Sequence, residues 1–465
     1  MNMINVRRLT VMTFLGASML SGISAQVSPL QVDTLKDTKI PDQWDLQSCI
    51  DYAKEQNITI RKNRITAAST QIDVKTAKAA LFPSLSFSTG HQVVNRPYQE
   101  RSSRVSGSEI ISSNSKTSYN GNYGLNASWT LYNGNKRLKT IQQEKLNNQM
   151  AELDVATSEN NIQESITQVY IQILYAAESV KVNENTLQVS IAQRDRGQEL
   201  LNAGSIAKSD LAQLEAQVST DRYQLVTAQA TLEDYKLQLK QLLELDGENE
   251  MNIYLPALSD ENVLAPLPTK RDVYISALSL RPEIEASKLN VEASELGINI
   301  AKSSYFPTIS LSAGIGTNHT SGSDFTFGEQ VKNGWNNSIG LSVSVPIFNN
   351  RQTKSAVQKA KLQYETSILS LLDEQKALYK TIESLWLDAN SAQQRYAAAN
   401  EKLKSTQISY ELISEQFNLG MKNTVELLTE KNNLLQAQQE QLQAKYMAIL
   451  NTQLLKFYQG DQLAL

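Results

Sequence analysis

Histidine and cysteine, the side chains that most often bind transition metals or act as base and nucleophile, are nearly missing from this sequence. The 465 residues include two histidines, His91 and His319, and one cysteine, Cys49. A structural zinc site needs four such ligands, and a cysteine nucleophile needs a neighbouring imidazole base. Because no two of these three residues lie close in the sequence, we interpret the histidines as solvated polar residues and Cys49 as a packed helix residue. The sequence therefore predicts no metal site, no cofactor and no catalytic centre.

Three charged residues beside two glycine turns are the other candidates for chemistry. Asp210 follows Gly204 by six residues, and Lys422 and Glu426 follow Gly420 by two and six residues. Such residues could form ion pairs, and they could equally belong to a solvated helix face. Their spacing alone leaves both interpretations open.

Composition and the N-terminus narrow the class of protein. A net charge of -4 offers no basic surface for nucleic acid. Residues 1–25 combine two arginines, an apolar run and small residues, which predicts an export signal, with residues 26–44 as an N-terminal extension. No later run of apolar residues is long enough for a transmembrane helix.

The sequence contains an internal duplication. Phe82-Pro83 recurs as Phe306-Pro307, an offset of 224 residues, and the Asn-Ala-Gly of 202–204 recurs as the Asn-Leu-Gly of 418–420, an offset of 216. The predicted organisation is a first repeat at 45–250, a proline-containing connector at 251–271, a second repeat at 272–458 and a tail at 459–465.

Each repeat contains one very long predicted helix. Residues 351–417 have no glycine or proline, and their small and apolar residues recur in alternating steps of four and three, which is a heptad seam. A helix of that length extends about 100 Å. Residues 136–196 are equally free of helix breakers. We expect each long helix to end at its glycine and a second helix to return, which predicts hairpin tips near 204 and 420.

Four segments alternate with a period of two and are predicted strands: 84–95, 117–132, 308–317 and 337–348. One side of each is apolar and the other carries small polar residues, as in Leu341 and Val343 beside Ser342. A sheet in a soluble protein would normally carry charges on its polar side, and these strand interiors have none. The pattern favours barrel strands with lipid outside and water inside, and it predicts that Leu125, Trp129, Leu341 and Val343 face lipid.

Four strands are too few to close a barrel around a channel. An open sheet edge in hydrocarbon would leave backbone groups without hydrogen bonds. We therefore expect several copies of the chain to assemble, with the helices extending away from the membrane.

Taken together, these landmarks resemble the TolC-type outer-membrane efflux proteins along nearly the whole mature chain. The resemblance rests on the duplication, the two Phe-Pro pairs, the segment Ala-Leu-Ser-Leu-Arg-Pro-Glu-Ile at 277–284, and the two tip segments at 202–211 and 418–428. It implies a mixed α and β membrane protein. Three copies would contribute four strands each to one trimeric 12-stranded outer-membrane barrel, continued by a long coiled-coil α-helical tunnel in the periplasm.

The resemblance also implies partners and site residues. The partners would be a periplasmic adaptor (membrane fusion) protein and an inner-membrane pump. The residues that would dock the adaptor at the tips are Ala203, Gly204, Ser205, Leu419, Gly420 and Met421. The residues that would form a periplasmic gate are Asp210, Lys422 and Glu426, with Asp210 paired to Lys422. One departure is Thr429, where relatives often carry a second acidic residue.

The predicted function is an outer-membrane exit duct of a tripartite efflux or type I secretion system. A secreted structural or adhesive coiled-coil protein is the alternative, since long helices alone would permit a filament. The uncharged amphipathic strands and the export signal argue against a filament. Cargo selectivity is expected to reside mainly in the pump.

Overall fold

The computed structural model describes residues 41–98, 102–106, 109–113, 116–246, 251–256, 263–321 and 325–463. From Trp44 onward the chain forms one compact unit. The predicted export signal at 1–25 lies outside the described residues. No helix among those residues is long and apolar enough to cross a membrane.

Each half of the chain begins with two helices, continues with strands and ends with a pair of long helices. The first half contains α1 (Leu46–Gln56), α2 (Ile58–Ala79), β1 (Ser84–Asn95), β2 (Ser102–Ser106), β3 (Glu109–Ser113), β4 (Thr117–Asn133), α3 (Lys136–Asn202) and α4 (Lys208–Leu242). The second half contains α5 (Lys270–Leu280), α6 (Pro282–Lys302), a 3-10 turn (Ser303–Tyr305), β5 (Thr308–Thr320), α7 (Phe327–Asn333), β6 (Asn336–Ser344), α8 (Gln352–Asn418) and α9 (Thr424–Gln459). The two long helices, α3 and α8, have the same length of 67 residues.

The four long strands form one antiparallel sheet in the order β1-β4-β5-β6. Strands β4 and β5 come from different halves, so the sheet joins the two repeats at its centre. Strands β2 and β3 form a separate two-stranded sheet in the connection between β1 and β4. The last strand is shorter than predicted and ends at Ser344, because Pro346 has no N–H to continue the ladder.

The helical segments that precede β1 and β5 are broken once each. Residues 45–81 form α1 and α2, divided at Asn57, whose side chain accepts a hydrogen bond of 2.9 Å from the N–H of Thr59 and so starts a new helix. In the second half the break falls at Arg281, because Pro282 favours the first position of a helix and cannot continue the preceding one.

The main core is formed by buried residues of α1, the middle of α3 and the C-terminal half of α9. Cys49 is fully buried there, which confirms it as a packed helix residue, and burial raises the pKa of its thiol to about 12. The hydroxyl of Tyr170, on α3, donates a 2.6 Å hydrogen bond to the carbonyl of Tyr254. The backbone of Trp44 is bonded to Asn252 and Tyr254. These hydrogen bonds attach the start of the first repeat to the connector, and the connector to α3.

A buried arginine links the two halves beside this core. Arg281 donates a 3.0 Å hydrogen bond to Glu164 on α3, and its guanidinium lies 3.6 Å from the ring centre of Tyr458 on α9. The side chain of Arg281 is 6% exposed and that of Glu164 is 26% exposed. Burial raises the pKa of Glu164, although the charge of Arg281 opposes the shift. Removing Arg281 would leave the carboxylate in a poorly hydrated site without its cation.

We predict that Arg281→Met lowers the free energy of unfolding by about 2–4 kcal/mol, below the full range for a buried pair because Glu164 keeps some solvent contact. Arg64→Met is the matched control, because the Arg64–Glu159 pair joins α2 to α3 on the surface, with side-chain exposures of 46% and 27%. The control should cost less than about 1 kcal/mol. Thermal unfolding of the detergent-solubilised variants measures both, and equal losses would contradict a special role for Arg281.

Candidate functional site

One side of the four-stranded sheet carries the apolar residues. The register places Trp129, Leu311 and Leu341 in one row and Ile309 opposite Val343 in another. Leu125 is opposite Ile315 on the same side, because successive residues of a strand alternate between the two sides. All four residues that were predicted to face lipid therefore share one side, and Leu341 is 65% exposed in the single chain. A contiguous exposed apolar surface of this kind needs lipid or protein to cover it.

Small and uncharged residues occupy the opposite side of the sheet. Asn126 is opposite Gly314, which is opposite Ser338. The neighbouring row is Ser128, Ser312 and Gly340. Side chains of this size leave room beside the sheet and bind water, so this side suits an aqueous lumen.

Both histidines lie at the loop end of the apolar side of the sheet. His91 and His319 lie on either side of Gly121 in the register. A hydrogen bond of 2.6 Å joins the Tyr119 hydroxyl to His91 Nδ1, and the His319 ring packs against Phe327 at 5.0 Å. The prediction of solvated polar residues is thus incomplete, because adjacent strands bring the histidines into an aromatic cluster. The described residues contain no group of three or more His, Cys, Asp or Glu side chains that could hold a metal ion.

The tips of the two hairpins have the same backbone structure. At the first tip, Gly204 has φ +74°, its N–H bonds to the carbonyl of Leu201, and the N–H of Ser205 bonds to the carbonyl of Leu200. Gly420 repeats this φ value and this pattern of bonds at the second tip. Both are Schellman caps, which need a left-handed residue that glycine supplies without strain. The predicted docking residues all lie on these caps and are exposed: Ala203, Gly204, Ser205, Leu419, Gly420 and Met421.

The charged residues beside the tips cap the returning helices. Asp210 Oδ2 accepts a 3.0 Å hydrogen bond from the N–H of Ala207 at the start of α4. Glu426 and Asn423 form a reciprocal capping box at the start of α9, with bonds of 3.2 and 2.9 Å. Lys422 Nζ lies 2.6 Å from Glu426 Oε1. Hydrogen bonds from Lys422 and from the N–H of Asn423 hold the pKa of Glu426 below its usual value.

The expected pair between Asp210 and Lys422 does not form within the single chain and stays a prediction for the assembled protein. Among the described residues, the ion-pair partner of Lys422 is Glu426. The reason is local: Lys422 directly precedes the N-cap Asn423 and reaches Glu426 in the first turn of α9, and Asp210 is engaged by its own helix start.

A buried ionic cluster, which was not predicted from the sequence, joins α3, α4 and α9. Lys431 on α9 contacts both Asp221 on α4 and Ser190 on α3, and Ser190 also bonds Asp221. Lys431 and Asp221 are 3% and 1% exposed. Gln217 donates a further 2.9 Å hydrogen bond to Asp221 Oδ1. Burial lowers the pKa of the Lys431 ammonium, and the hydrogen bond and charge of Asp221 oppose that shift.

The sequence did contain a signal for this cluster. The buried residues of α4 include Leu211, Leu214, Val218 and Asp221, and those of α9 include Leu427, Lys431 and Leu434. Both series follow the three- and four-residue steps of a heptad seam, so a negative charge interrupts the seam of α4 and a positive charge interrupts that of α9. A charge at a seam position is expected to be buried against another helix, where it needs a partner.

An apolar cluster lies between the ionic cluster and the tips. Leu214 from α4, Phe417 from α8 and Leu427 from α9 are buried against one another. They are 1%, 3% and 0% exposed. The two hairpins of one chain are therefore packed together almost to their ends.

Known proteins share this architecture. The sequence profile of the family described as "Outer membrane efflux protein" matches residues 49–244 and 273–460, one range in each half. The outer membrane efflux protein BepC of Brucella suis biovar 1 is 24% identical over 299 residues, which cover 64% of this chain and 62% of BepC. Outer membrane protein TolC of Escherichia coli K12 is 24% identical over 291 residues, covering 61% of this chain and 58% of TolC.

A solved structure of CusC superposes on this chain with a TM-score of 0.75 at 18% identity, covering 90% of this chain and 92% of CusC. This likeness confirms the predicted mixed α and β fold, with four sheet strands and long helical hairpins. The matches to BepC and TolC span about three fifths of those relatives' lengths. The family profile, by contrast, matches most of the chain. The protein is thus a member of the outer membrane efflux protein family, a family of transport channels, and is located in the outer membrane with a periplasmic extension.

Proposed function

We propose that this protein is the outer-membrane exit duct of a tripartite efflux or type I secretion system. The observation that carries the proposal is the two-sided sheet, apolar on one side and small and polar on the other, which continues directly into two helices of 67 residues each. Such a chain can contribute one sector of a water-filled tube that crosses a membrane and extends about 100 Å beyond it.

The sheet edges support assembly of three copies. Within the described residues, β1 pairs with β4 and β6 pairs with β5, and neither has a strand on its other edge. If β6 of one copy pairs with β1 of the next, every edge is satisfied, and three copies give the 12 strands of the proposed barrel. The single chain also exposes apolar residues on α2 at steps of seven, Ile58, Ile65 and Ile72, which a neighbouring copy would cover.

The tips support a role in docking a periplasmic adaptor protein, which would in turn contact an inner-membrane pump. Small side chains surround the Schellman cap at the first tip. At the second tip, Leu419 and Met421 are 76% and 71% exposed. Small residues allow close approach of another helical hairpin, and exposed apolar residues provide surface to bury.

The gate proposal rests on the charges at the second tip. Three copies of Glu426 around one axis would repel each other and attract cations, as acidic rings do in cation channels. In each copy, Lys422 forms an ion pair with Glu426 and so reduces the repulsion between the carboxylates. In this arrangement Lys422 and Glu426 carry the charge of the gate, and Asp210 fixes the first turn of the neighbouring helix.

The adhesive coiled-coil alternative accounts less well for the sheet. A filament would have no use for an uncharged sheet whose apolar side is exposed along β6, where Ile339, Leu341 and Val343 are 83%, 65% and 57% exposed. Recovery of the protein in the soluble secreted fraction, and not in outer membranes, would favour that alternative.

Adjacent substitutions on β6 test the assignment of the two sides of the sheet. Leu341→Arg should destabilise the membrane-embedded protein by about 2–4 kcal/mol, because it places a charge in lipid. Ser342→Arg should fold normally and change the single-channel conductance, because its side chain faces water. Unfolding in liposomes and planar-bilayer recording measure the two effects. A similar loss of stability at both positions would contradict the assignment.

Bulk at the first tip tests adaptor docking. Ala203→Trp should abolish export and co-purification of the adaptor while trimers remain in the outer membrane, because the indole blocks close approach of a helical hairpin. The backbone at Ala203 has φ -80°, which any residue adopts, so the tip itself should keep its fold. Ala203→Ser is the control and should bind the adaptor normally. Normal export by Ala203→Trp would refute the docking role.

Charge substitutions at the second tip test the gate. Lys422→Ala should raise the single-channel conductance, since unneutralised Glu426 carboxylates repel one another and widen the mouth. Glu426→Gln should lower cation selectivity, because the amide oxygen still accepts the capping bond from Asn423 but carries no charge. Asp210→Asn keeps its capping acceptor and should change conductance less than Lys422→Ala. Unaltered conductance and selectivity in the first two variants would assign these residues to the solvated face.

A further inference from the structure

The connection between β5 and β6 folds back onto the apolar side of the sheet. It contains α7, which contacts side chains of β5. The Thr317 hydroxyl donates a 2.8 Å hydrogen bond to the carbonyl of Val331. The ring of Phe327 packs against that of His319, with 5.0 Å between the ring centres. Thr317 and His319 follow Ile315 along β5 at steps of two, so both contacts lie on the side of the sheet that carries the apolar residues.

The same helix also closes one edge of β5. Strand β5 continues to Thr320, whereas its pairing with β6 ends at Gly316. The N–H of Ser321 bonds to the carbonyl of Tyr119 on β4, so the N–H of Thr320 points to the other edge. There it donates a 2.9 Å hydrogen bond to the side-chain oxygen of Gln330 on α7. A neighbouring copy of the chain therefore does not have to supply this bond.

The rise of the strands gives the depth of α7 in the membrane. Trp129 marks the periplasmic end of the sheet, because its indole N–H donates a 2.7 Å hydrogen bond to the carbonyl of Leu81, just before β1. Tyr119 lies ten residues earlier on β4, with 5.9 Å between its ring centre and that of His319. Ten residues of a strand extend about 33 Å, or about 25 Å along the membrane normal at a tilt of about 40°. This is the height of the apolar band of an outer-membrane barrel, so α7 lies at the outer boundary of that band.

The exposed residues of α7 and its surroundings suit this depth. Phe327 and Trp335 are 40% and 57% exposed in the single chain. Glu329 and Lys332 are exposed on the same short helix. Aromatic rings beside charged groups are typical of the layer between hydrocarbon and water, because the rings enter the acyl boundary while the charges keep their contact with water and headgroups.

We propose that α7 is an interfacial helix that binds the headgroup layer of the outer lipid leaflet, on the outside of the barrel. The partner is lipid and not a second copy of this chain, because α7 continues the side of the sheet that is assigned to lipid, whereas copies join through the edges at β1 and β6. The inference rests on the proposed function, which assigns that side to lipid. It adds a lipid contact that holds the outer end of β5 at the membrane surface.

A spin label on α7 tests the proposal. A Cβ added at Gly328 meets no described atom within 4 Å, so Gly328→Cys can carry a nitroxide without disturbing the helix. The natural Cys49 is fully buried and does not compete for the label. The labelled protein is reconstituted in liposomes of palmitoyl-oleoyl phosphatidylcholine. Power-saturation electron paramagnetic resonance then measures collisions of the nitroxide with oxygen, which concentrates in lipid, and with nickel ethylenediaminediacetate, which stays in water.

Two reference labels give the range of the measurement. Ala203→Cys at the exposed first tip reports water, and Leu341→Cys on the apolar side reports hydrocarbon. For Gly328→Cys we expect an oxygen-to-nickel collision ratio between the two references and at least about threefold above that of Ala203→Cys, as for a position within about 5–10 Å of the acyl boundary. A smaller difference would place α7 in water and overturn the proposal. A ratio as high as that of Leu341→Cys would place α7 within the hydrocarbon and would also overturn it.

The same measurement distinguishes lipid from protein as the partner. Low collision rates with both reagents at Gly328→Cys would show that protein covers α7, as a neighbouring copy would, and would overturn the proposal. If the label at Leu341→Cys reports water, the two sides of the sheet are wrongly assigned and the proposed function fails together with this inference. If Leu341→Cys reports hydrocarbon and Gly328→Cys reports water, the duct stands and only the interfacial role of α7 is wrong.

Substitution of Phe327 provides a second measurement in the labelled Gly328→Cys protein. Phe327→Ser should lower the oxygen-to-nickel ratio by about twofold or more, because the ring that enters the acyl boundary is lost. Phe327→Tyr is the matched control and should keep the ratio, since tyrosine is also favoured at the interface. An unchanged ratio in Phe327→Ser, or an equal fall in both variants, would contradict the attachment of α7 to lipid through this ring.

Discussion

Backbone hydrogen bonding at the edges of the sheet is the constraint on which the rest of this structure depends. A four-stranded sheet leaves two edges, at β1 and β6, and neither can remain unpaired in hydrocarbon. Copies of the chain are the simplest source of the missing partners. If the sheets close into a barrel, the helices that follow the strands are placed side by side in the same ring. A tube of helices then follows from the geometry of the barrel. The heptad spacing of α3 and α8 suits that packing.

The duplication explains why one chain contributes equally to both parts of this tube. Each repeat supplies two strands to the sheet and one long hairpin below it, and each hairpin ends in the same Schellman cap with a glycine at φ +74°. The repeats differ in the charged residues beside their tips. A capping box with an attached lysine is found at the second tip, whereas Asp210 alone caps the first returning helix. The two near-identical turns therefore differ in that a lysine pairs with the capping carboxylate at the second tip.

Features that depend on local sequence were predictable, and features that depend on which helix faces meet were not. The period of two fixed the sides of the strands, and the glycines fixed the tips, because both effects act within a few residues. The breaks at Asn57 and Arg281 were missed although each has a local cause, a capping side chain in one case and a following proline in the other. Lys431 and Asp221 are 210 residues apart, and only the packing of α9 against α3 and α4 makes them partners. The resemblance assigned Lys422 to Asp210, and within the single chain the ion-pair partner of Lys422 is Glu426, four residues further along.

The ionic cluster also constrains how this sequence can change over generations. Replacing either Lys431 or Asp221 alone leaves a buried charge without its counterpart, whereas replacing both with apolar residues of similar volume can be neutral or stabilising. Single substitutions at these positions are therefore disfavoured as steps toward a tolerated double substitution. Close homologues should consequently keep both charges or lose both, and the two positions should co-vary even though one belongs to each repeat. A lineage that has acquired this pair is held to it by the cost of the intermediate, independently of any advantage the pair provides.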